Sequence, residues 1–422
     1  MGGLAFANQQ TAMKILHFTI SYPLNSGNIY SDLDEQLVRN GHEVRVVYAD
    51  PTVESDKFAE KVFKGGVEIL RVRSMKVQKS NILKKGLSFL ALTPLLKAAT
   101  KKFYGEERFD LILFMAPPVT FANLVAWAKK RYECPAFLMQ KDIFPQNAID
   151  LKILSRFNPA ALYFRRQEIK MLKVADRIGC MSEGNIKYLL KHNPFLAPEK
   201  LVYFPNSEEI RPFEKNIAAD GVREKYGIPK RACAFLFGGN MGKPQYLELL
   251  CRALERFKNR SDVFFICIGS GTDAHKLKNC INDERVTNAK FLEHVPREDY
   301  NAVAAACDAG IVTLDPNFTI PNYPSKTLSY MASKLPILAA TDTNTDYRQL
   351  IESQAKCGLW CDSSKPEDFF RAIDALASAP EKRVEMGESG RRYYERHFDV
   401  KDSAEILENL MAKQGGQARR FH

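Results

Sequence analysis

Three glycine-rich turns stand where an apolar strand pattern ends, an arrangement suited to binding phosphate. They are residues 26–28 (SGN), 237–242 (FGGNMG) and 268–271 (IGSG). Glycine lets the backbone approach a phosphate, and the N–H groups at a helix N-terminus present partial positive charge to it. A tight turn that binds nothing has the same composition, so both interpretations stay open for each turn. No turn matches the dinucleotide or P-loop patterns, which disfavours a nicotinamide enzyme and excludes a P-loop.

The elements that must hold these turns occur in two similar series along the 422-residue chain. Buried strands are predicted at 14–18, 109–115, 135–140 and 176–181, and then, after a polar stretch, at 232–240, 263–271, 308–314 and 335–340. Strands that alternate with helices form parallel sheets covered by helices. The length exceeds the ~250–300 residues at which one core stops growing. We therefore predict two α/β units joined by a linker near 206–222.

Composition excludes several classes of protein. With 45% hydrophobic and 26% charged residues the chain is an ordinary globular protein. Its nine cysteines form no C-x-x-C pair, and their odd number favours buried thiols in a reducing compartment. No run approaches the ~18 apolar residues of a membrane-spanning helix, and the residues before Met13 make a poor signal peptide. A cytoplasmic protein is expected.

The net charge of +11 is concentrated in one segment. Residues 71–104 contain no acid, and the rest of the chain is close to neutral. The basic residues of this segment are Arg71, Arg73, Lys76, Lys79, Lys84, Lys85, Lys97, Lys101 and Lys102. A local surplus of this kind indicates an anionic partner that meets this part of the protein.

Ordered segments along nearly the whole chain resemble one enzyme family. KILHFTISYPLNSGN and LVRNGHEVRVV resemble its opening strand, glycine loop and second strand, and ADRIGCMSEGNIKYLL and FPNSEEI resemble the segments between its domains. FGGNMGKPQYLELLCRAL, IGSGTDAHKL, FLEHVPREDYNAVAAACDAGIVTL, YPSKTLSYMASKLPILAA and MGESGRRYYERHF follow in the family's order. The family is glycosyltransferase family 4, the retaining enzymes with the GT-B fold. Within it the chain most resembles capsule and O-antigen enzymes that act on lipid-linked sugars.

The resemblance implies an α/β protein with two facing Rossmann-like domains and a C-terminal helix that crosses back. It places an acceptor domain at 13–208, a nucleotide-sugar domain at 209–395, and the last helix and tail at 396–422. The implied reaction is hexosyl or N-acetylhexosaminyl transfer from a UDP-sugar, with an N-acetylated deoxy sugar as one option. The acceptor would be a polyprenyl-diphosphate-linked or other glycan in capsule, O-antigen or polysaccharide biosynthesis. No cofactor and no metal are expected.

The family's motifs also imply a set of donor contacts. By position these are Asn206, Gly239, Asn240, Lys243, Gly269, Ser270, Pro324, Ser325, Lys326 and Ser329. A leaving diphosphate needs positive groups that are already in place. Backbone N–H groups of Gly239 and Asn240 and the ammonium groups of Lys243 and Lys326 are the candidates, with a solvated surface lysine as the alternative for each lysine. Gly27, Asn28 and Lys141 would approach the diphosphate or the acceptor from the other domain.

The sequence departs from the family's motifs in two places. The donor motif has two glutamates separated by seven residues, and these fall by register near Pro321 and at Ser329, so both carboxylates are missing. A serine can still hydrogen-bond a ribose hydroxyl. The family's His-Asp-x-x-Pro element is KDIFP here, with Lys141 in the place of the histidine. Asp142 is expected to orient the acceptor hydroxyl or accept its proton, and capping of the loop before Pro145 is the open alternative.

An aspartate pair suitable for a metal is not found in a predicted loop. Asp32 and Asp34 have the D-x-D spacing, but they fall inside the first predicted helix, where residues i and i+2 do not share a face. Positive side chains in place of a metal fit a metal-independent enzyme.

Residues 81–104 mix leucine and phenylalanine with lysine. Leu87, Leu90, Ala91, Pro94 and Leu95 follow near-helical spacing, which predicts a short helix lying on an anionic leaflet. Its expected membrane contacts are Lys84, Lys85, Lys101 and Lys102. This predicts a peripheral location on the inner face of the cytoplasmic membrane. The alternatives are a core-packing helix with solvated lysines and a nucleic-acid site, but no nucleic-acid module is recognisable, so none is expected as a partner.

Two other functions stay open on the same fold. A nucleotide-sugar epimerase would need acid and base carboxylates in the cleft, and the missing glutamates weaken that hypothesis. A scaffold that binds a nucleotide sugar without turnover is the other possibility, because both motif carboxylates are absent.

Overall fold

The structure is a computed structural model that describes residues 12–74, 82–213, 219–282, 285–293, 295 and 297–418. Within them the strands form two sheets. The first contains β1 (Lys14–Phe18), β2 (Glu43–Asp50), β3 (Ala59–Lys64), β4 (Val67–Arg73), β5 (Leu111–Ala116), β6 (Ala136–Gln140), β7 (Arg177–Cys180) and β8 (Leu201–Tyr203). The second contains β9 (Cys233–Asn240), β10 (Val263–Ser270), β11 (Ala289–Leu292), β12 (Ala309–Thr313), β13 (Ile337–Thr341) and β14 (Gly358–Asp362).

Helices cover the sheets. Those that follow strands of the first sheet are α1 (Ile29–Arg39), α2 (Ile82–Tyr104), α3 (Phe121–Tyr132), α4 (Gln146–Asp150), α5 (Pro159–Val174) and α6 (Glu183–His192). The later helices are α7 (Ala219–Tyr226), α8 (Leu247–Phe257), α9 (Ala274–Ile281), α10 (Arg297–Ala306), α11 (Lys326–Ala332), α12 (Pro366–Ala377), α13 (Pro380–His397) and α14 (Val400–Ala418).

Both sheets have the doubly wound order expected of Rossmann-like domains. The first runs β3-β4-β2-β1-β5-β6-β7-β8 and the second β11-β10-β9-β12-β13-β14. Every pair is parallel except β3 with β4 at one edge. In each sheet the order reverses beside the first strand, at β1 with β5 and at β9 with β12. Ligands of open α/β sheets bind outside the carboxyl ends of the strands at such a reversal.

The central strands are buried on both faces, which explains their continuous apolar sequences. All six residues of β5 (LILFMA) are buried, as are the first six of β9. Helix α8 adds Leu250 and Leu254 to the core against β9 and β10. Covering both faces of a parallel sheet in this way removes apolar area from water at roughly 25 cal/mol per Å².

The last helix returns to the first domain. In α14, Val400, Ala404 and Leu407 share a core cluster with Leu33 and Leu37 of α1. Glu408 accepts hydrogen bonds from His42 Nε2 at 2.9 Å and from Asn40 Nδ2 at 2.8 Å. The predicted α/β fold class, with two Rossmann-like domains and a helix that crosses back, is confirmed.

Helix α2 has one face in the core and one outside. Leu96, Ala99 and Tyr104 are fully buried, whereas Ala91 and Pro94 are exposed, as are Lys101 and Lys102. The inner face therefore packs into the core, as in the alternative of a core-packing helix with solvated lysines. The outer face stays available to a membrane. The side chains of Lys84 and Lys85 lie outside the described residues. No helix in the described part of the chain is long and apolar enough to cross a bilayer.

Candidate active site

A cavity of about 610 Å³ lies between the two domains, at the carboxyl ends of β1 and β9. It brings together most of the predicted site residues from both domains. The predicted residues that line it are Gly27, Asn28, Lys141, Asn206, Gly239, Asn240, Pro324, Ser325, Lys326 and Ser329. The chain thus places the first glycine turn opposite the second, with the predicted donor segment beside them.

The first glycine turn leads directly into α1 and provides its N-cap. Asn28 is the N-cap, and its side-chain oxygen accepts from the N–H groups of Tyr30 (3.0 Å) and Ser31 (2.9 Å). Ser31 Oγ accepts in return from the Asn28 N–H at 2.8 Å. Because the Asn28 oxygen already satisfies two helix N–H groups, the turn stays rigid at the wall of the cavity.

The second and third turns come close together for a steric reason. A Cβ atom at Gly269 would lie 1.9 Å from the carbonyl oxygen of Gly239, so only glycine allows β9 and β10 to approach this closely. Gly239 has a φ of +99°, a conformation that favours glycine. Gly269 and Ser270 do not line the cavity. Gly269 shapes the strand ends and Gly239 faces the site, so a donor contact of Gly269 and Ser270 stays a prediction.

Lys326 is held inside the cavity. Its Nζ lies 4.0 Å from the centroid of the Phe237 ring and donates to Gln245 Oε1 at 2.8 Å. Burial lowers the pKa of Lys326 to about 7. The solvated-lysine alternative is therefore not what the structure shows, and an aromatic face and a neutral amide hold the ammonium group.

Lys141 faces the same cavity from the first domain. It follows β6, and its Nζ lies 5.3 Å from the centroid of the Phe204 ring. Burial lowers the pKa of Lys141 to about 7 as well. Among the described residues that line the cavity the only carboxylate is that of Glu208, which accepts from Tyr394 Oη at 2.8 Å. Two amines against one carboxylate suit a ligand that carries more than one negative charge.

Lys243 does not reach the cavity. It is exposed on a short 3-10 turn, Lys243–Gln245, and the residue that lines the cavity from this turn is Gln245. Because Lys243 is exposed and outside the cavity lining, the structure does not support the prediction that it neutralises the diphosphate. Sequence reasoning missed Gln245, although it stands only two residues from the predicted lysine.

Asp142 also lies outside the cavity lining. Its carboxylate accepts from the Ile143 N–H at 2.8 Å and from Asn147 Nδ2 at 2.5 Å, and burial raises the pKa of Asp142 to about 6. Both bonds hold the loop that leads through Pro145 into α4. Of the two neighbouring residues after β6, Lys141 faces the cavity and Asp142 faces the loop. This agrees with the alternative role for Asp142, capping of the loop before Pro145.

Asp142 can be tested by two substitutions. For Asp142→Asn, which keeps an acceptor for Ile143, we expect transfer to stay within about threefold of wild type, because loss of a true general base costs about 10²–10⁴-fold. For Asp142→Ala we expect a loss of stability of about 1–3 kcal/mol, because the buried Ile143 N–H loses its partner. Urea unfolding and initial rates check both. An asparagine variant that folds and binds UDP normally but has lost over a hundredfold in rate would make Asp142 the base.

The positions of the missing glutamates are now defined. Ser329 lines the cavity one turn into α11, and its Oγ donates to the Lys326 carbonyl at 2.9 Å. Pro321 is buried, and its carbonyl accepts from Asn185 Nδ2 of the first domain at 3.0 Å. The next residues, Asn322 and Tyr323, do line the cavity. Other lining residues that sequence reasoning missed are Tyr30, Glu208 and Tyr300; the first two lie two residues from predicted positions.

Polar contacts hold the domains together near the cavity. Asp346 of the second domain accepts from Ser182 Oγ (2.9 Å) and from the Gly184 N–H (2.7 Å) at the start of α6. Asp150 of the first domain accepts from the backbone N–H of Thr319 (2.8 Å) and from its Oγ1. These carboxylates accept charge-assisted hydrogen bonds across the domain boundary and help to hold the two domains in the arrangement that the structure shows.

Removal of the Asp346 carboxylate is expected to open the protein. Asp346→Ala deletes both bonds to α6, so a smaller fraction of molecules is closed, and the apparent affinity falls in proportion. We expect a larger radius of gyration by small-angle X-ray scattering and about tenfold weaker UDP binding. Asp362→Ala is the control, because Asp362 caps only the local turn at Ser364. An Asp346 variant with unchanged scattering and affinity would show that this contact does not hold the domains.

Comparison with known families covers most of the chain. The family described as Glycosyltransferase Family 4 matches residues 28–207, and the family described as Glycosyl transferases group 1 matches residues 220–393. The two matches fall on the two sheets and include most of the residues that line the cavity.

Individual relatives are distant but similar over long spans. The probable glycosyltransferase WbjE of Pseudomonas aeruginosa is 25% identical over 71% of this chain and 73% of its own length. The putative colanic acid biosynthesis glycosyl transferase WcaI of Escherichia coli K12 is 22% identical over 92% of this chain and 97% of its own.

Solved structures share the fold. A sucrose-phosphate synthase of Thermosynechococcus elongatus has a TM-score of 0.77 and 14% identity, and the match covers 96% of this chain and all of that one. Anabaena Alr3699/HepE, solved in complex with UDP and glucose, has a TM-score of 0.71 and 16% identity over 95% of this chain and all of its own. With the paired sheets, the returning helix and the cavity between the domains, these matches lead to one assignment: the chain is a glycosyltransferase of the family 4 type with the GT-B fold.

Proposed function

We propose that the protein transfers a sugar from a UDP-sugar to a polyprenyl-diphosphate-linked or other glycan acceptor at a membrane surface, with retention of anomeric configuration. The observation that carries this proposal is the pair of amines, Lys141 and Lys326, that face one cavity from opposite domains. A nucleoside diphosphate bound there would bridge the two domains. Its negative charge would meet positive groups that need no rearrangement in the transition state.

The donor half of the proposal rests on the second domain. Gly239 and Asn240 line the cavity beside Lys326, and Ser329 offers a hydroxyl one turn further along α11. Tyr300 and Tyr323 line the same space and could contact a base or a sugar ring. The bound UDP and glucose of HepE, which has the same fold, support UDP as the nucleotide.

The one carboxylate among the described lining residues, that of Glu208, already accepts from Tyr394 Oη, which favours a mechanism without a separate base. In a front-face displacement the bond from the anomeric carbon to the phosphate oxygen breaks while the acceptor oxygen bonds to the same face. The acceptor proton passes to the leaving phosphate oxygen. Lys326 and Lys141 would then offset the charge on UDP, a task that other enzymes give to a metal ion.

The acceptor and the process follow from the relatives. The printed name of WcaI gives it a place in colanic acid biosynthesis. We infer a comparable role in the synthesis of a cell-surface polysaccharide such as capsule or O-antigen. A lipid-linked acceptor would require the protein to work at the inner face of the cytoplasmic membrane, where Lys84, Lys85, Lys101 and Lys102 of α2 are the proposed contacts.

One assay separates the proposal from its alternatives. Purified protein is incubated with UDP-sugars, with and without a lipid-linked acceptor extracted from membranes, and UDP and sugar products are measured. Release of UDP only with acceptor, with α-linked product from an α-linked donor, supports transfer with retention. An isomerised sugar would indicate an epimerase, and binding without any product would indicate a scaffold. Activity that persists in a strong chelator supports metal independence, and a loss that Mg²⁺ restores contradicts it.

A further inference from the structure

We propose that a second surface, formed by the loop after α4 and by the outer face of α5, is where the protein inserts into an anionic bilayer. We call it the loop–α5 surface. Its apolar members are Ile153, Phe157, Leu162 and Tyr163, and its cations are Lys152, Arg156, Arg166, Lys170 and Lys173. The inference rests on the proposed function, because it names the surface through which the proposed membrane partner is met.

Large apolar side chains on this surface point into solvent. Phe157 is 79% exposed, and Ile153 and Leu162 are each 51% exposed. Single exposed apolar residues are common, but several within ten residues form a patch of the kind that marks an interaction site. Phe164, on the first turns of α5, is half-buried and packs against Phe144 at 5.0 Å between ring centroids, whereas Phe157 has its ring in solvent.

The loop that carries Phe157 is fixed. The N–H groups of Ile153 and Leu154 both donate to the Ala148 carbonyl, at 2.9 and 3.1 Å. Asn158 then caps α5 by accepting from the Ala160 N–H at 2.8 Å, and Pro159 occupies the first helical position. The backbone on both sides of Phe157 is therefore held, so the exposed ring is a feature of the fold.

The charges around these side chains have one sign. Residues 151–174 contain six lysines and arginines but only one acid, Glu168. That carboxylate is buried and contacts Arg165 at 2.6 Å, so it does not oppose the outer cations. Along α5 the exposed stripe is apolar at Leu162 and Tyr163 and basic at Arg166, Lys170 and Lys173. Apolar and aromatic residues beside lysine and arginine are typical of elements that lie in the headgroup region of an anionic leaflet.

A bilayer explains this mixture better than a protein partner does. Lysine is depleted in protein interfaces, whereas here it surrounds the apolar side chains. Helices α2, α3 and α5 lie side by side on one face of the first sheet. The exposed Lys97, Lys101 and Lys102 of α2 are thus on the same face as the loop–α5 surface, and both could meet one membrane.

The surface also begins at the boundary between the domains. Leu151, which precedes it, packs with Phe318 and Ile320 of the second domain, and Asp150 bonds Thr319. A leaflet that contacts Ile153 and Phe157 would therefore lie beside the seam that leads toward the cavity. A lipid-linked acceptor could then present its diphosphate sugar while its tail stays in the membrane.

Vesicle binding of the full-length protein tests the proposal. The probes are vesicles of phosphatidylethanolamine and phosphatidylglycerol, with phosphatidylcholine vesicles as the neutral comparison. We expect wild type to sediment with the anionic vesicles, and Phe157→Ser/Leu162→Ser to lower the partition coefficient about tenfold. Arg166→Gln/Lys170→Gln should lower it by about fivefold or more at low salt and have no effect at high salt. Val384→Ser is the matched control, because Val384 is 66% exposed on α13 of the second domain.

Insertion itself can be seen without removing any side chain from the core. The emission of Phe157→Trp should shift to shorter wavelength on anionic vesicles and be quenched by brominated lipid, whereas that of Val384→Trp should not change. Normal binding by Phe157→Ser/Leu162→Ser, with loss in Lys101→Gln/Lys102→Gln, would assign the contact to α2 and overturn the proposal. So would dimerisation that Phe157→Ser abolishes, since the surface would then meet a second copy. If the protein bound vesicles through this surface but transferred no sugar, the proposed function would be wrong and the proposed membrane surface would be supported.

Discussion

Replacement of Lys326 by alanine is expected to lower the rate of sugar transfer by about 10²-fold or more. The reason is that Lys326 presents a buried ammonium group to the cavity, where the charge that develops on a leaving diphosphate needs a positive partner. The aromatic face of Phe237 and the amide of Gln245 already hold the ammonium group in place. Steady-state rates with saturating acceptor measure the effect.

Lys243→Ala is the matched control for this prediction. Lys243 is a lysine of the same domain, in the turn that also contains Gln245, but it is exposed and outside the cavity lining. We expect its substitution to change the rate by less than about threefold, as for other exposed side chains. If Lys243→Ala lost activity and Lys326→Ala kept it, the cavity would not be where the diphosphate is neutralised.

A second readout separates charge from folding. Because burial lowers the pKa of Lys326, the charged form is disfavoured in the folded ligand-free protein, so Lys326 opposes folding at neutral pH. Lys326→Met should therefore raise the melting temperature of the ligand-free protein while removing activity. A variant that was inactive because it misfolded would melt at a lower temperature.

The sequence predicted the central strands because their side chains are buried on both faces. The prediction of 14–18 is the observed β1, and that of 263–271 exceeds β10 by a single residue. The peripheral strands gave no comparable signal. In β3 (AEKVFK) half-buried and exposed residues alternate with charges, and the four residues of β11 are all half-buried. Such segments join a sheet because a neighbouring strand offers hydrogen bonds, which local sequence does not reveal.

The candidate site was predictable by region but not by side chain. Motif order located both glycine turns and the segment that contains Lys326, because these depend on where strands end. Which neighbour lines the cavity depends on local turns: Gln245 lines it where Lys243 was expected, and of the expected pair Lys141 and Asp142 only Lys141 does. The net charge did not reveal the positive charge of residues 151–174. Acidic residues elsewhere in the chain cancel that charge when all residues outside 71–104 are summed.

The affinity for UDP is expected to fall steeply between about pH 7 and pH 9. In the empty cavity burial holds the pKa of Lys141 and that of Lys326 at about 7. A bound diphosphate favours the charged amines and raises both pKa values, so binding takes up protons. Above pH 7 the amines are increasingly neutral in the empty cavity, so each must take a proton from solvent before it can bind the diphosphate. The free energy of this protonation rises with pH, and the affinity can fall by about tenfold per pH unit for each amine. The phosphates of UDP are already ionised in this range, since their last pKa is about 6.

Calorimetry measures this proton uptake directly. Titration of UDP in two buffers with different ionisation enthalpies gives the number of protons bound, which should lie between zero and two just above pH 7. Lys326→Arg removes one of the two titrating groups, because a guanidinium keeps its charge throughout this range. That variant should bind fewer protons and lose affinity less steeply than wild type. An affinity that stayed constant or rose up to pH 9 would mean that the two amines do not grip the diphosphate, and Glu208 and the backbone groups of Gly239 and Asn240 would then have to account for any binding of UDP in the cavity.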